Sequence, residues 1–189
     1  MIKNYVGLSD SETRSVITTP DNKYLFVGGD SGSLKQICLK SQEVVHDYGK
    51  IHDYGMYGLQ TTRDSKYLIT LTYTRGVKII SIENRAVEKY FDQVSYDCVQ
   101  SMKISADEKK MFLGDSEGML ELMSLTDGNT IKHFGTIHTS EITEIEITAD
   151  EKSFFISSEN GELQQWDYGD TTLLRSYGKI TGNIYSLCL

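Results

Sequence analysis

Four histidines, three cysteines and 27 acidic residues are the side chains of this 189-residue chain with the chemistry to bind a metal or move a proton. Their spacing argues against either task. Cys38, Cys98 and Cys188 lie far apart and form no CxxC pair, so neither a disulfide framework nor a zinc site is expected, and reduced thiols in a core are the reading. There is no G-x-S-x-G, no phosphate loop and no H-E-x-x-H. His52 and His138 occupy equivalent places in a repeat, and His46 and His133 form a second, near-equivalent pair, so repetition accounts for them better than a metal does. No cofactor, no metal ligand and no catalytic residue is expected, and the chain reads as not an enzyme.

The repeat that absorbs these residues is marked by Asp21-Asn22-Lys23, Asp64-Ser65-Lys66, Asp107-Glu108-Lys109 and Asp150-Glu151-Lys152, whose aspartates are each 43 residues apart. Other columns keep the step: aromatics at Tyr5, Tyr48, Phe91, Phe134 and Tyr177, and aliphatics at Leu34, Val77, Leu120 and Leu163. Each unit holds four short apolar stretches separated by turn residues, the pattern of antiparallel strands. In the last unit these are residues 142–147, 153–157, 162–166 and 172–177, called a, b, c and d. Asp21, Asp64, Asp107 and Asp150 fall between a and b, where a carboxylate accepts from amides two residues on and closes a tight turn; their role is structural. Glycine recurs between b and c at Gly32, Gly118 and Gly161, where a positive φ is needed.

A four-stranded sheet cannot bury both faces alone, so the copies must stack. Stacking around an axis protects the edges, whereas an open linear array leaves an apolar face in water. The fold class is therefore all-β, a β-propeller of four-stranded antiparallel blades with about four complete blades.

The fourth unit carries Gly135, His138, Ala149-Asp150-Glu151-Lys152, Asn160-Gly161 and Trp166-Asp167, and with these the chain resembles the WD40 repeat family across nearly its whole length. The resemblance implies a network inside the blade formed by His138, Ser157 or Ser158, Asn160 and Trp166. The other units depart from it, with Ile37, Ile80 and Met123 in the tryptophan column, so apolar packing takes over there. By phase, residues 1–14 match the outer strand of a preceding blade, 15–55, 56–98, 99–141 and 142–183 are four blades, and 184–189 begin a further one. Four blades with two loose strands do not close, which points to a segment of a larger ring of about seven.

A formal charge of −8 and a pI near 5.0 disfavour nucleic acid as a partner, since phosphate binding needs a basic stripe. No apolar run approaches the roughly 18 residues of a membrane span, and no secretory signal opens the chain, so a cytoplasmic home follows by default. What is left is surface. Loops before strand a and between b and c share one face and carry His52, Asp53, Tyr54, Gly55, Tyr73, Thr74, Arg75, Tyr96, Asp97, Ser116, Glu117, Ser140 and Glu159, with Tyr54, Tyr73, Arg75 and Tyr96 as anchors. The resemblance implies a non-catalytic scaffold that binds partner proteins or peptides there, alone or within a multi-subunit complex; the alternatives are a structural subunit of a larger assembly and a propeller hydrolase.

Overall fold

Turn chemistry cuts the described residues into sixteen strands. In the computed structural model, which describes residues 11–73, 76–92, 98–180 and 182–187, the strands form four antiparallel four-stranded sheets, and no helix occurs among the described residues. The first sheet is β1 (Thr13–Thr18), β2 (Tyr24–Gly29), β3 (Ser33–Cys38) and β4 (Glu43–Lys50); the second is β5 (Met56–Thr61), β6 (Tyr67–Thr72), β7 (Val77–Ser81) and β8 (Ala86–Phe91). The third is β9 (Val99–Ile104), β10 (Lys110–Asp115), β11 (Met119–Ser124) and β12 (Thr130–Thr136); the fourth is β13 (Ile142–Ile147), β14 (Ser153–Ser158), β15 (Glu162–Asp167) and β16 (Leu173–Lys179). Within every sheet the strands lie in chain order. The first two sheets fall in one compact unit, Met1–Gln93, and the last two in another, Val94–Leu189.

The a–b turns show why the aspartates recur. Asp21 Oδ1 accepts from the Thr19 hydroxyl at 2.7 Å and from the Lys23 amide at 3.1 Å, while the Tyr24 amide donates to Thr19 Oγ1 at 3.1 Å. The same set is built on Thr62 and Asp64, Ser105 and Asp107, and Thr148 and Asp150. The middle residue of each turn, Asn22, Ser65, Glu108 or Glu151, takes a φ of 54° to 60°. The c–d turns repeat as well, with positive φ at Gln42, Arg85, Gly128 and Thr171.

These bonds hold the four carboxyls below their ordinary value, Asp21 at about 2, the largest cause in each being the bond from the Thr or Ser hydroxyl. A depressed carboxyl stabilises the fold above its unfolded pKa of about 3.9 and loses that contribution as pH falls through the folded value. The midpoint of urea unfolding is accordingly expected to drop steeply below about pH 4. Asp21→Asn removes one of the titrating groups, so the acid limb of the variant is expected to be shallower; a limb parallel to that of the parent chain contradicts this account.

Strand a departs from simple alternation. Ile142 and Ile145, three residues apart, are both fully buried because a β-bulge follows Ile142. Shifts at Thr13, Met56 and Val99 put the same bulge in each sheet. The first sheet thereby takes in Thr13 and Arg14, which the boundary at residue 15 left outside. Residues 184–187 pair with no strand among the described residues, so the expected a strand is not formed over them. Residues 1–10 and 188–189 of the two flanking strands lie outside the described residues.

In the first unit Phe26 and Leu34 of the first sheet pack with Met56, Leu59, Leu68 and Ile80 of the second. In the other unit Phe112, Leu120 and Leu122 of the third sheet pack with Ile142, Ile145, Phe154 and Ile156 of the fourth. Phe112 and Phe154 centre an aromatic cluster at 4.6 Å, with Phe134 and Trp166 edge to face at 5.7 Å. Strands c and d of each sheet are also matched in pairs. The Tyr48 hydroxyl donates to Gln36 Oε1 at 3.1 Å and that of Tyr177 to Gln165 Oε1 at 3.0 Å; in the second and third sheets the same columns hold Ile79 with Phe91 and Leu122 with Phe134. Burial pushes the Tyr48 hydroxyl up to about 12.

Candidate functional site

A loop is a useful binding surface only if its backbone is held, and here the b–c glycines hold it. Gly32, at φ +82°, accepts at its carbonyl from the amides of Ile51 at 3.0 Å and His52 at 3.2 Å. Gly118 does the same for Ile137 and His138. Each clamp fixes the loop that enters the next sheet, and in the first unit that loop carries His52, Asp53 and Tyr54.

His52 is 6% exposed, so it is not the surface contact that the sequence reading expects. Its Nε2 lies 2.7 Å from Thr70 Oγ1, and burial, followed by the charge of Lys78, lowers its pKa to about 3. The ring is neutral at ordinary pH and acts as a strut beneath the loop. Above it opens a cleft of about 290 Å³ lined by Lys50, Ile51, His52, Asp53, Tyr54, Thr72, Gly76, Lys78 and Tyr90. Lys78 Nζ donates to the Ile51 carbonyl and lies 4.8 Å from the centre of the Tyr90 ring. Lys50 reaches Asp53 at 3.7 Å. Tyr54 and Tyr90 are 55% and 56% exposed, so two large amphipathic rings stand on a fixed base.

The cleft thus brings together His52, Asp53 and Tyr54. Tyr73 goes elsewhere: its ring lies 5.3 Å from that of Tyr57, over which the Arg14 guanidinium sits at 5.5 Å while bonding Asp30 at 2.8 Å. Thr74, Arg75, Tyr96 and Asp97 lie outside the described residues. Ser116, Glu117, Ser140 and Glu159 belong to the second unit. There Glu117 and Glu159 are exposed, and Ser140 Oγ accepts from the Asn160 amide at 3.1 Å, which ties it to its own turn. Ser116 and Glu117 flank Asp115, a carboxyl 1% exposed whose Oδ1 accepts from the amides of Glu117 and Met119 and whose Oδ2 is buried without a partner. Burial raises the Asp115 pKa.

The four-residue network implied by the resemblance is not the one formed. His138 Nδ1 meets Glu162 Oε2 at 3.1 Å, and the Trp166 indole N–H donates to Gln164 Oε1 at 3.0 Å. Ser158 and Asn160 bond one another, and Asn160 Nδ2 donates to Thr139. The physical reason is proximity: Glu162 opens strand c beside the histidine loop, and Gln164 sits two residues from Trp166 on the same side of the strand. Burial pushes the Glu162 carboxyl up, but the bonds from His138 and Thr139 outweigh it and hold the group below its ordinary value.

Sequence reasoning missed Lys50, Thr70, Thr72, Lys78 and Tyr90. One signal was present. Lys78 and Gln164 share a column on strand c, and both donate to the carbonyl that precedes the histidine, Ile51 and Ile137 respectively. A long polar side chain kept at one place on an apolar strand marks a group that reaches back to the loop. Among the described residues no group of three His, Cys, Asp or Glu side chains is placed to hold a metal ion. No protein-family model matches the chain, and neither does any curated protein.

Proposed function

We propose that this chain is a segment of a WD40-like β-propeller that serves as a non-catalytic scaffold, binding a partner protein or peptide in the cleft of its first unit. The observation that carries the reading is Tyr54 and Tyr90 standing exposed beside Lys50 over a backbone fixed by Gly32 and by the His52–Thr70 bond. Rigid aromatic anchors lose little freedom on binding and dominate interface energetics. Support for the blade reading comes from four sheets of one strand order at one sequence step, with b strands buried and the d strands β8 and β16 exposed nearly throughout. Radial packing of such sheets is the arrangement that leaves short, protected edges. The charge of −8 favours a protein partner over nucleic acid, and free Cys38 and Cys98 fit a reducing cytoplasm.

The test is cross-linking of the immobilised chain in cell extract, read by mass spectrometry, for the parent, the double variant Tyr54→Ala with Tyr90→Ala, and Val87→Ala on the exposed β8 strand as a control. Partners held by parent and control are expected to fall by about tenfold or more with the double variant, the loss typical of hot-spot residues. Equal recovery on all three rules out the cleft.

A further inference from the structure

The second and fourth sheets build the same corner from different residues. In the fourth, Glu162 opens β15, and its carboxylate meets His138 Nδ1 at 3.1 Å and accepts from the Thr139 amide and hydroxyl, each at 3.3 Å. Two places along the strand, the Gln164 side-chain amide donates to the Ile137 carbonyl at 3.0 Å. The counterparts of His138, Thr139, Glu162 and Gln164 in the second sheet are His52, Asp53, Gly76 and Lys78. The tether to the loop is kept, since Lys78 Nζ donates to the Ile51 carbonyl. The carboxylate is not. A Cβ at Gly76 would lie 3.1 Å from Thr72 Oγ1 and 3.5 Å from both His52 Nδ1 and the Tyr90 ring, so the room that the Glu162 side chain fills in one sheet belongs to the cleft in the other.

Charge follows the same exchange. Compared with the fourth sheet, the second loses an anion at Gly76 and gains a cation at Lys78. An ammonium has three donors; the Ile51 carbonyl takes one, the Tyr90 ring offers its face at 4.8 Å, and among the described residues no carboxylate lies within ion-pair reach of Lys78. Asp53, on the rim, is 91% exposed and pairs with Lys50 instead. We infer that the cleft takes a carboxylate side chain, Glu or Asp, from an acidic segment of the partner, seated among His52, the Asp53 amide and Lys78 where the fourth sheet carries its own Glu162. This rests on the cleft reading above and names what the cleft binds. Tyr54 and Tyr90 favour a side chain over a free chain end: they come from different elements and are both more than half exposed, and a segment that continues in both directions covers both rings.

Amide spectra of the full, nitrogen-labelled chain test this with three small probes: N-acetylglutamate N-methylamide, its neutral glutamine counterpart, and N-acetylalanine as a free chain end. The glutamate probe is expected to move the Asp53 and Gly76 amides along a saturating curve, and the glutamine probe to leave them in place. Lys78→Gln, which keeps the tether as Gln164 does, is expected to weaken the glutamate probe by about tenfold or more, the loss of a bond to a charged group. Gly76→Glu, which installs the fourth sheet's carboxylate, is expected to abolish its binding. Unmoved amides, equal shifts from the neutral probe, or a stronger response to N-acetylalanine overturns the inference on the parent chain alone, whether or not either variant folds. No partner enters this titration, so a cleft that captures a partner through Tyr54 and Tyr90 yet ignores the glutamate probe sinks the carboxylate and leaves the proposed function standing.

Discussion

Gly32→Ala is expected to destabilise the chain by about 2–4 kcal/mol, seen as a lower midpoint of urea unfolding at unchanged slope. Two effects add. Gly32 holds φ +82°, a conformation that costs an alanine about 1–2 kcal/mol. A Cβ there would also stand 2.0 Å from the His52 carbonyl oxygen, a backbone atom that no side-chain rotation can move away. Relief requires the His52 loop to retreat, which breaks the bonds from the Ile51 and His52 amides to the Gly32 carbonyl. Hydrogen exchange at those two amides is expected to accelerate along with the loss of stability. A variant within about 0.5 kcal/mol of the parent, with the two amides still protected, refutes the clamp.

Phe112→Ala is expected to cost about 3–5 kcal/mol, the range for emptying a buried phenylalanine site. The ring is 1% exposed and is held by Phe154 at 4.6 Å, Tyr168 at 6.1 Å and Phe134 at 6.3 Å, so the neighbours that would have to fill the void are themselves fixed by one another. Trp166, the single tryptophan, stacks on Phe154 and reports on the same cluster. Its emission is expected to shift to longer wavelength in the variant before denaturant is added. An unshifted spectrum together with a loss below about 1 kcal/mol indicates that the cluster repacks without it.

The sheets and their turns were legible in the sequence because a turn is closed by groups a few residues apart. Asp21 reaches the amide of Lys23 whatever the rest of the chain does, and the 43-residue step carries that chemistry to Asp64, Asp107 and Asp150. The hydroxyl partners Thr19, Thr62, Ser105 and Thr148 keep the same step and escaped notice only because threonine and serine occur so often elsewhere in strands. The bulge in strand a was hidden, since a pair such as Ile142 and Ile145 reads as broken alternation until the extra residue is seen. The cleft was legible only in part. Asp53 and Tyr54 lie on the loop that the repeat marks, but Lys78 comes from β7 and Tyr90 from β8, and no sequence interval announces that these meet. The partner of His138 was hidden for a related reason: Glu162 stands in a column otherwise held by Ser33, Gly76 and Met119, so repetition gave no cue to it.

The matched columns of strands c and d constrain how such repeats diverge. A tyrosine facing leucine would bury a phenol with no acceptor, and a glutamine facing phenylalanine would strand an amide, each at about 1–3 kcal/mol. Changes at Gln36 or Tyr48 are therefore tolerated chiefly when both sites change, and the same holds for Leu122 with Phe134.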